Sequence, residues 1–254
     1  MTGGPRRLWG SPYELSDLLE AIPGGTELAV RDFALITLAG QLSACFPKQL
    51  VFKGGFVLRH VHGHLRFSKD VDATRHQPPK QKLDSEEVAE AIRQASIRNV
   101  MRFSPQQPAT DTPRSLDFDN VQVIGETFPT TTVQIEVSYR EAVVEDPIEA
   151  NIGEPFYQPF EILTMTVAEM AAEKLRALVQ RVRPTDLADL AAILTQEETS
   201  DEDIARLAAS DRQVRACRQG TRQPHTPPRA QPARHGLHLR PSSSEPVPRG
   251  RLLR

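Results

Sequence analysis

Two aspartates lie two positions apart in the segment Arg-Phe-Ser-Lys-Asp-Val-Asp-Ala, residues 66–73. If this segment is a β-strand, Asp70 and Asp72 project from the same face, because side chains alternate along a strand. Two neighbouring carboxylates repel each other unless water or a cation lies between them. The spacing therefore leaves two interpretations open, a solvated strand end or a divalent metal site.

A glycine pair precedes the aspartates in Leu-Val-Phe-Lys-Gly-Gly, residues 50–55. The short apolar run predicts a buried strand that ends in a tight turn, and residues 56–63 are long enough for two helical turns. Gly54 and Gly55 would let a phosphate approach backbone N–H groups, next to the positive end of the helix. The order of strand, glycines and helix thus indicates a phosphate-binding turn.

A third carboxylate lies on a later predicted strand, residues 131–140, where apolar and polar residues alternate. Glu136 is on the polar face of that strand. With Asp70 and Asp72 it would complete a three-carboxylate site for Mg²⁺, which prefers oxygen ligands and is often shared with substrate phosphates. Two metal ions there would activate an attacking hydroxyl and stabilise a leaving pyrophosphate. The alternative is an ordinary exposed strand glutamate.

The elements that must position these residues are predicted from periodicity, caps and breakers. Thr26 is expected to cap a buried helix that runs to Phe46, and a capping box, Thr166 to Glu169, opens a helix to about Arg181. The remaining predictions are a short helix from Ser11, an amphipathic helix at 84–100, a polar loop at 104–115, a strand at 120–127, a helix from Pro184 to about Thr195 and a last short helix capped by Ser200.

Composition limits the class of protein. The chain has 254 residues, of which 39% are hydrophobic and 25% charged, as in ordinary globular proteins. We expect no membrane span, because no uninterrupted apolar run reaches about 18 residues, and no signal peptide, because the N-terminus has no apolar core. Two cysteines are too few for a disulfide framework, so a cytoplasmic setting is expected.

Charge is distributed unevenly along the chain. Residues 211–254 contain ten arginines against two acidic residues, about +8, which leaves −10 of the total of −2 for residues 1–210. The basic segment is rich in proline and is predicted to be disordered. A frame-shifted coding sequence and an RNA-binding arm are the two interpretations of its composition. The expected organisation is an N-terminal extension at 1–25, one domain at 26–210 and a tail at 211–254.

The segment from Phe52 to Arg75 resembles the AbiEii/AbiGii-type toxin nucleotidyltransferases, a family of the DNA polymerase β-like superfamily. Family members carry Lys-Gly-Gly, then Arg-x-Ser-x-Asp-x-Asp, then a lysine on a helix and a basic-Asp-x-x-Asp element. The resemblance covers about residues 28–196. The positions that match are Lys53, Gly54, Gly55, Leu58, Arg66, Ser68, Asp70, Asp72, Lys174, Asp186 and Asp189.

The resemblance implies an α/β (α+β) fold, a polymerase β-like nucleotidyltransferase core with a small mixed sheet and appended helices. It implies Mg²⁺-dependent transfer of a nucleotide from an NTP, with Mn²⁺ as a possible substitute. It further implies a toxin of a type IV abortive-infection system, a winged-helix antitoxin as its partner and the 3′ end of tRNA as an acceptor. Two alternatives stay open: transfer to a small-molecule or protein hydroxyl, and an inactive nucleotide-binding remnant.

The resemblance also implies roles for the matched residues. Asp70, Asp72 and Glu136 would bind metal and, with Lys174, act in catalysis. The residues implied for nucleotide binding are Lys53, Gly54, Gly55, Arg66, Ser68, Lys174, Asp186 and Asp189. The structural alternatives are a solvated helix face for Lys174 and a favourable helix-dipole contact for Asp186. The sequence departs from the family pattern at Phe56, where a hydroxyl is usual, and at Thr185, where a basic residue is common.

Overall fold

The computed structural model describes residues 25–76, 82–106, 109–140, 143–152, 159–196 and 200–209. The predicted helix at Ser11 and the tail at 211–254 lie outside the described residues. Six helices and eight strands form the described part. The helices are α1 (Thr26–Cys45), α2 (Gly54–His60), α3 (Ser85–Gln94), α4 (Val167–Gln180), α5 (Pro184–Gln196) and α6 (201–209). The strands are β1 (Leu50–Lys53), β2 (Asp70–Arg75), β3 (Arg102–Pro105), β4 (Thr110–Asp111), β5 (Ser115–Ile124), β6 (Thr131–Ser138), β7 (Ile148–Ile152) and β8 (Phe160–Thr164).

All eight strands belong to one mixed sheet. Its order is β3-β5-β6-β2-β1-β8-β7, and β4 pairs with β5 outside this path. The central strand β2 runs antiparallel to β1 and parallel to β6, and β1 runs parallel to β8. The mixed sheet is as predicted, but it has more strands than the sequence indicated. The predicted polar loop at 104–115 was wrong, because it contains the end of β3, all of β4 and the start of β5.

Strand β3 was missed because its sequence, Arg-Phe-Ser-Pro, contains a proline. It lies at the edge of the sheet, where a missing N–H donor is tolerated. Phe103, which is 2% exposed, lies opposite Val123 of β5, and Pro105 on the same face is also buried. Two buried apolar residues that alternate with polar ones thus make a strand from a segment that has no apolar run.

Helix α1 is the core helix of the fold. By length and mean hydropathy, 1.3, it would be able to cross a membrane, but 72% of the window that meets this test is buried inside the protein. It packs against β2, β6, β8 and α3. The predicted cap was wrong by one position, since Gly25 is at the N-cap and Thr26 makes no capping hydrogen bond. The predicted C-terminal limit agrees with the observed end at Cys45.

Helices α3 and α4 begin as predicted, whereas α2 begins at Gly54 and ends at His60 rather than covering the predicted residues 56–63. Asp84 caps α3 by accepting hydrogen bonds from Glu86 and Glu87 N–H groups, and Thr166 caps α4 through Glu169 N–H. Helix α3 ends at Gln94, earlier than the predicted residue 100. The chain turns there, with Asn99 at a φ of 62° and a 2.8 Å bond from Ile97 N–H to the Met101 carbonyl.

Candidate active site

The turn between β1 and α2 is the floor of the site. Gly54 has a φ of +72°, in the left-handed region that favours glycine. A Cβ atom at this position would lie 2.7 Å from Oδ2 of Asp72. Glycine is therefore required twice here, by the backbone conformation and by the carboxylate that lies against it.

The segment that precedes β2 lies against the second glycine. A Cβ atom on Gly55 would be 2.5 Å from Nη2 of Arg66 and 3.0 Å from Oγ of Ser68. Ser68 is 2% exposed, and its hydroxyl donates a 2.7 Å hydrogen bond to Oδ1 of Asp70. The glycine pair and the Arg-x-Ser-x-Asp-x-Asp motif are thus in direct contact.

The carboxylates of β2 are placed by the strand period. Val71 is fully buried in the core, so Asp70 and Asp72 project from the opposite face of the sheet. Across the sheet, Asp72 lies directly opposite Lys53 of β1 on one side and Glu136 of β6 on the other. Directly opposed residues project from the same face. Three residues that are distant in sequence therefore form one row.

The row continues onto β5, where Asp117 lies opposite Glu136. Oδ2 of Asp117 accepts a 2.8 Å hydrogen bond from the Ser115 hydroxyl. Asp117 was not predicted as a site residue, because it falls between the predicted loop at 104–115 and the predicted strand at 120–127, whereas β5 begins at Ser115. The alternation of Leu116, Asp117 and Phe118 was the signal that would have identified it.

The charges around Asp72 oppose its ionisation. The pKa of Asp72 lies well above its usual value, first because burial removes the carboxylate from water and then because Asp70 and Glu136 add negative charge. Lys53 and Lys174 act in the opposite direction but do not compensate fully. The site therefore holds an excess of negative charge that a bound cation would relieve.

A second cluster, formed by charged side chains, joins α4 and α5 to the segment that carries Arg66. Arg66 contacts both carboxylate oxygens of Asp189, at 2.6 and 2.8 Å. Lys174 lies 2.9 Å from the same carboxylate and 3.2 Å from Asp186. Arg181 adds a 3.3 Å contact to Asp186. The structure thus brings together all four residues that the sequence selected here, Arg66, Lys174, Asp186 and Asp189.

The two aspartates of this cluster, Asp186 and Asp189, are buried and contact its basic side chains. Asp189 is 3% and Asp186 2% exposed. Burial acts against ionisation of Asp189, but the hydrogen bonds and charges of Arg66 and Lys174 outweigh it and hold its pKa below the usual value. Burial likewise acts against the charge of Lys174, and the two aspartates outweigh it and raise the pKa of that amine. The aspartates therefore fix Lys174 and Arg66 in their charged forms.

Lys53 has a partner that the sequence did not reveal. Its ammonium group contacts the two carboxylate oxygens of Glu173 on α4, at 3.0 and 3.1 Å. Lys53 and Glu173 are separated by 120 positions. No local pattern connects residues so far apart, and the pairing depends on how α4 packs against the sheet.

A cleft of about 250 Å³ opens over the row. Three arginines that the sequence analysis did not select also line it, Arg140, Arg176 and Arg181. The other lining residues are Lys53, Gly54, Asp72, Ala73, Glu136, Glu173, Lys174, Ala177, Gln180 and Asp186. Five basic side chains thus surround a cleft in a domain whose net charge is negative, an arrangement suited to a phosphorylated substrate.

The chain matches a protein-family model described as nucleotidyl transferase AbiEii toxin, type IV TA system, over residues 39–245. It belongs to the AbiEii family. The match includes every site residue described above and continues beyond the described part of the chain. The protein is therefore a nucleotidyltransferase, the toxin of a type IV toxin–antitoxin system, and an NTP substrate and an antitoxin partner belong to such a system.

Solved structures show the same fold. MenT4, a nucleotidyltransferase toxin from Mycobacterium tuberculosis H37Rv, has a TM-score of 0.61 at 24% identity, with 77% of this chain and 69% of that chain covered. JHP933 from Helicobacter pylori has a TM-score of 0.55 at 20% identity, with coverage of 75% and 81%. No protein of curated function matches the chain. The fold is that of nucleotidyltransferase toxins, as the resemblance implied.

The two departures from the AbiEii pattern lie outside the cleft. The Phe56 side chain is fully buried, and its ring packs against the rings of Phe52 and His60, with centroids 6.4 and 4.8 Å away. A hydroxyl at position 56 would therefore project towards the core. Thr185 is exposed, and the cations beside Asp186 come from Lys174 and Arg181 instead.

The carboxylates of this AbiEii protein do not form a closed metal cage. Within the part of the chain that is described, no three His, Cys, Asp or Glu side chains converge closely enough to hold a metal ion by themselves. Mg²⁺ is usually held by one or two carboxylates together with substrate phosphates. Asp70 and Asp72, with the uncompensated negative charge at Asp72, fit that open arrangement.

Proposed function

We propose that this toxin transfers a nucleoside monophosphate from an NTP to the 3′-terminal hydroxyl of tRNA, in a Mg²⁺-dependent reaction in the cytoplasm. The observation that carries the proposal is the row of Lys53, Asp72 and Glu136, which faces the cleft beside the Gly54 turn. The row places the Asp72 carboxylate, whose negative charge a cation would neutralise, beside the Gly54 backbone, which a phosphate could approach.

Asp70 and Asp72 are the residues that would hold the metal, and Mn²⁺ would suit the same oxygen ligands. When bound, the ion would polarise the phosphate under attack and stabilise the pyrophosphate that leaves. The Ser68 hydroxyl donates to Asp70 and thereby fixes its orientation. Glu136, whose side chain is 47% exposed, completes the acidic set on the side of the row away from Lys53.

The triphosphate would contact the row on the side of Lys53, opposite to Glu136. The backbone of Gly54 and Gly55, with Ser68, would hold phosphate oxygens. Lys53, Lys174 and Arg66 would meet the triphosphate charge, and each is oriented by a carboxylate of α4 or α5. In this arrangement Asp186 and Asp189 act as positioning residues, because buried carboxylates that contact cations do not bind phosphate themselves.

An RNA acceptor agrees with the charge at the mouth of the cleft. Arg140 and Arg181 line it and are 45% and 53% exposed, so they are accessible to an acceptor's phosphates. The acidic remainder of the domain would limit contact with RNA to this region. We further propose that the antitoxin partner has a winged-helix DNA-binding domain, as the resemblance implies.

The acceptor is tested by mapping the added nucleotide. Purified protein is incubated with each of the four α-³²P NTPs, Mg²⁺ and total tRNA, and in parallel with tRNA whose terminal hydroxyls have been oxidised by periodate. We expect label from one or two NTPs on intact tRNA and none on oxidised tRNA. Label on protein or on a small molecule in a cell extract, with tRNA unlabelled, would contradict the tRNA proposal and leave the nucleotidyltransferase assignment intact.

A further inference from the structure

The segment that carries Arg66 and Ser68 has no regular secondary structure. Residues 61–69 connect the end of α2 to β2 without forming a helix or a strand. The segment is buried at His64 and Ser68, which are 5% and 2% exposed, but Leu65 is 88% exposed. The Asp189 pair fixes only the tip of Arg66, so the backbone on either side of Arg66 depends on further contacts.

Arg59 of α2 contacts the residues on both sides of Arg66. Its guanidinium carbon lies 3.6 Å from the centroid of the Phe67 ring, within the range of a cation–π interaction. Its Nη1 group donates a 3.3 Å hydrogen bond to the Leu65 carbonyl. One side chain thus holds the backbone before Arg66 and the ring after it.

The guanidinium of Arg59 is itself fixed by the core helix α1. Its Nε and Nη2 atoms lie 2.8 and 3.2 Å from the two carboxylate oxygens of Asp32, which is 4% exposed. His60 contributes a second contact to the same carboxylate, with Nε2 at 3.1 Å from Oδ1. A forked pair with a buried carboxylate holds a guanidinium in one orientation.

We infer that Arg59 is a positioning residue: anchored by Asp32, it holds the Leu65–Phe67 segment so that Arg66 and Ser68 lie against Gly55. The inference rests on the proposed function, in which Arg66 and Ser68 contact the substrate phosphates. It assigns a role in substrate binding to an ion pair between α1 and α2 that touches no substrate. The role depends on the planar guanidinium and on the ring, and charge alone does not supply it.

Two mild variants separate positioning from folding. Arg59→Lys keeps a cation beside Asp32 but loses the planar contact with the ring, and Phe67→Leu removes the ring while the Arg59–Asp32 pair stays. The contact is partly desolvated, since Phe67 is half-buried and the Arg59 side chain is 16% exposed, and its loss corresponds to a change in affinity of up to roughly tenfold. We therefore expect each variant to raise the KM for NTP by up to about tenfold and to change kcat much less.

The double variant tests whether the two residues act through one contact. If they do, Arg59→Lys combined with Phe67→Leu raises the KM no further than either change alone. Arg93→Lys is the matched control, because Arg93 also contacts two carboxylates, Glu86 and Glu90, but lies on α3 away from the segment. Its KM should equal that of the wild type.

Hydrogen exchange supplies a readout that does not need turnover. Both variants should increase exchange in peptides that cover residues 61–69 and leave α1 and β1 unchanged, even if the wild type transferred no nucleotide. Unchanged exchange in that segment, in variants whose thermal midpoints match the wild type, would overturn the inference. So would effects on the KM that multiply in the double variant, since independent contacts would then be acting.

Discussion

Gly54→Ala and Gly63→Ala are a matched pair of substitutions that separates the effect of backbone strain from the effect of displacing Asp72. Both glycines have left-handed backbones, with φ values of +72° and +71°. An alanine at either position pays a similar conformational penalty, roughly 1–2 kcal/mol. A Cβ on Gly63 meets no atom within 4 Å, whereas a Cβ on Gly54 lies 2.7 Å from Oδ2 of Asp72. Gly54→Ala should therefore lose at least as much stability as Gly63→Ala and much more activity.

The structure sets the size of that difference. Contacts of a Cβ atom become ordinary at 3.4 Å, so Asp72 must retreat by at least 0.7 Å to accommodate Gly54→Ala. A displacement of about 1 Å in a reacting centre costs on the order of 10²-fold in rate. We expect Gly54→Ala to reduce kcat/KM for nucleotidyl transfer by roughly 30- to 100-fold, and Gly63→Ala to leave it within about threefold of the wild type.

The assay combines transfer with thermal melting. At this chain length, 1–2 kcal/mol corresponds to a fall in the thermal midpoint of about 2–8 °C, and both variants should show it. Transfer is then measured at a temperature where both are fully folded. Equal activity of the two variants, or a larger loss for Gly63→Ala, would refute the placement of Asp72 against the Gly54 backbone.

Three further substitutions test the charges and contacts around this position. Because the fold raises the pKa of Asp72, that carboxyl favours the folded state below its unfolded pKa of about 3.9, and the benefit is lost as pH rises through the folded pKa. Asp72→Asn should therefore melt at a higher temperature than the wild type at pH 7.5 in EDTA and lose this advantage near pH 4; equal melting at pH 7.5 would argue against the buried charge. Asp189→Asn leaves Arg66 and Lys174 without their shared anion and should lower the unfolding free energy in urea by about 3 kcal/mol, whereas a loss below 1 kcal/mol would show that the pairs are weak. Gly55→Ala would place a Cβ atom 2.5 Å from Nη2 of Arg66 and disturb its forked pair with Asp189, so it should lower kcat/KM roughly tenfold and also lower the thermal midpoint; unchanged kcat/KM would contradict the contact.

The local part of the site was predictable from the sequence. The strand period places Asp70 and Asp72 on one face, and the glycine pair predicts the turn, because both depend on residues close together in the chain. The alignment of Asp72 with Glu136 depends on the pairing of β2 with β6, whose register no local pattern specifies. The contact between Arg59 and Asp32 likewise depends on how two helices pack.

The direction of the Phe56 side chain was also not predictable from the sequence. Phe56 interrupts the expected Lys-Gly-Gly-Thr/Ser pattern, and the sequence alone suggested a lost phosphate contact. In the structure its ring packs into the core beside Phe52. Which side of a short helix faces the sheet is decided by packing, and α2 has only seven residues from which to predict it.

The central claim is that the carboxylates beside the Gly54 turn support nucleotidyl transfer. The most direct measurement is transfer of label from α-³²P NTP to tRNA by the wild type, Asp70→Ala and Asp72→Ala, each with Mg²⁺ and with EDTA. Asp119→Ala is the matched control, because Asp119 is an exposed aspartate in the same sheet. The account predicts Mg²⁺-dependent label with the wild type and Asp119→Ala, and none with either site variant. Transfer at wild-type rates by Asp70→Ala or Asp72→Ala would contradict it.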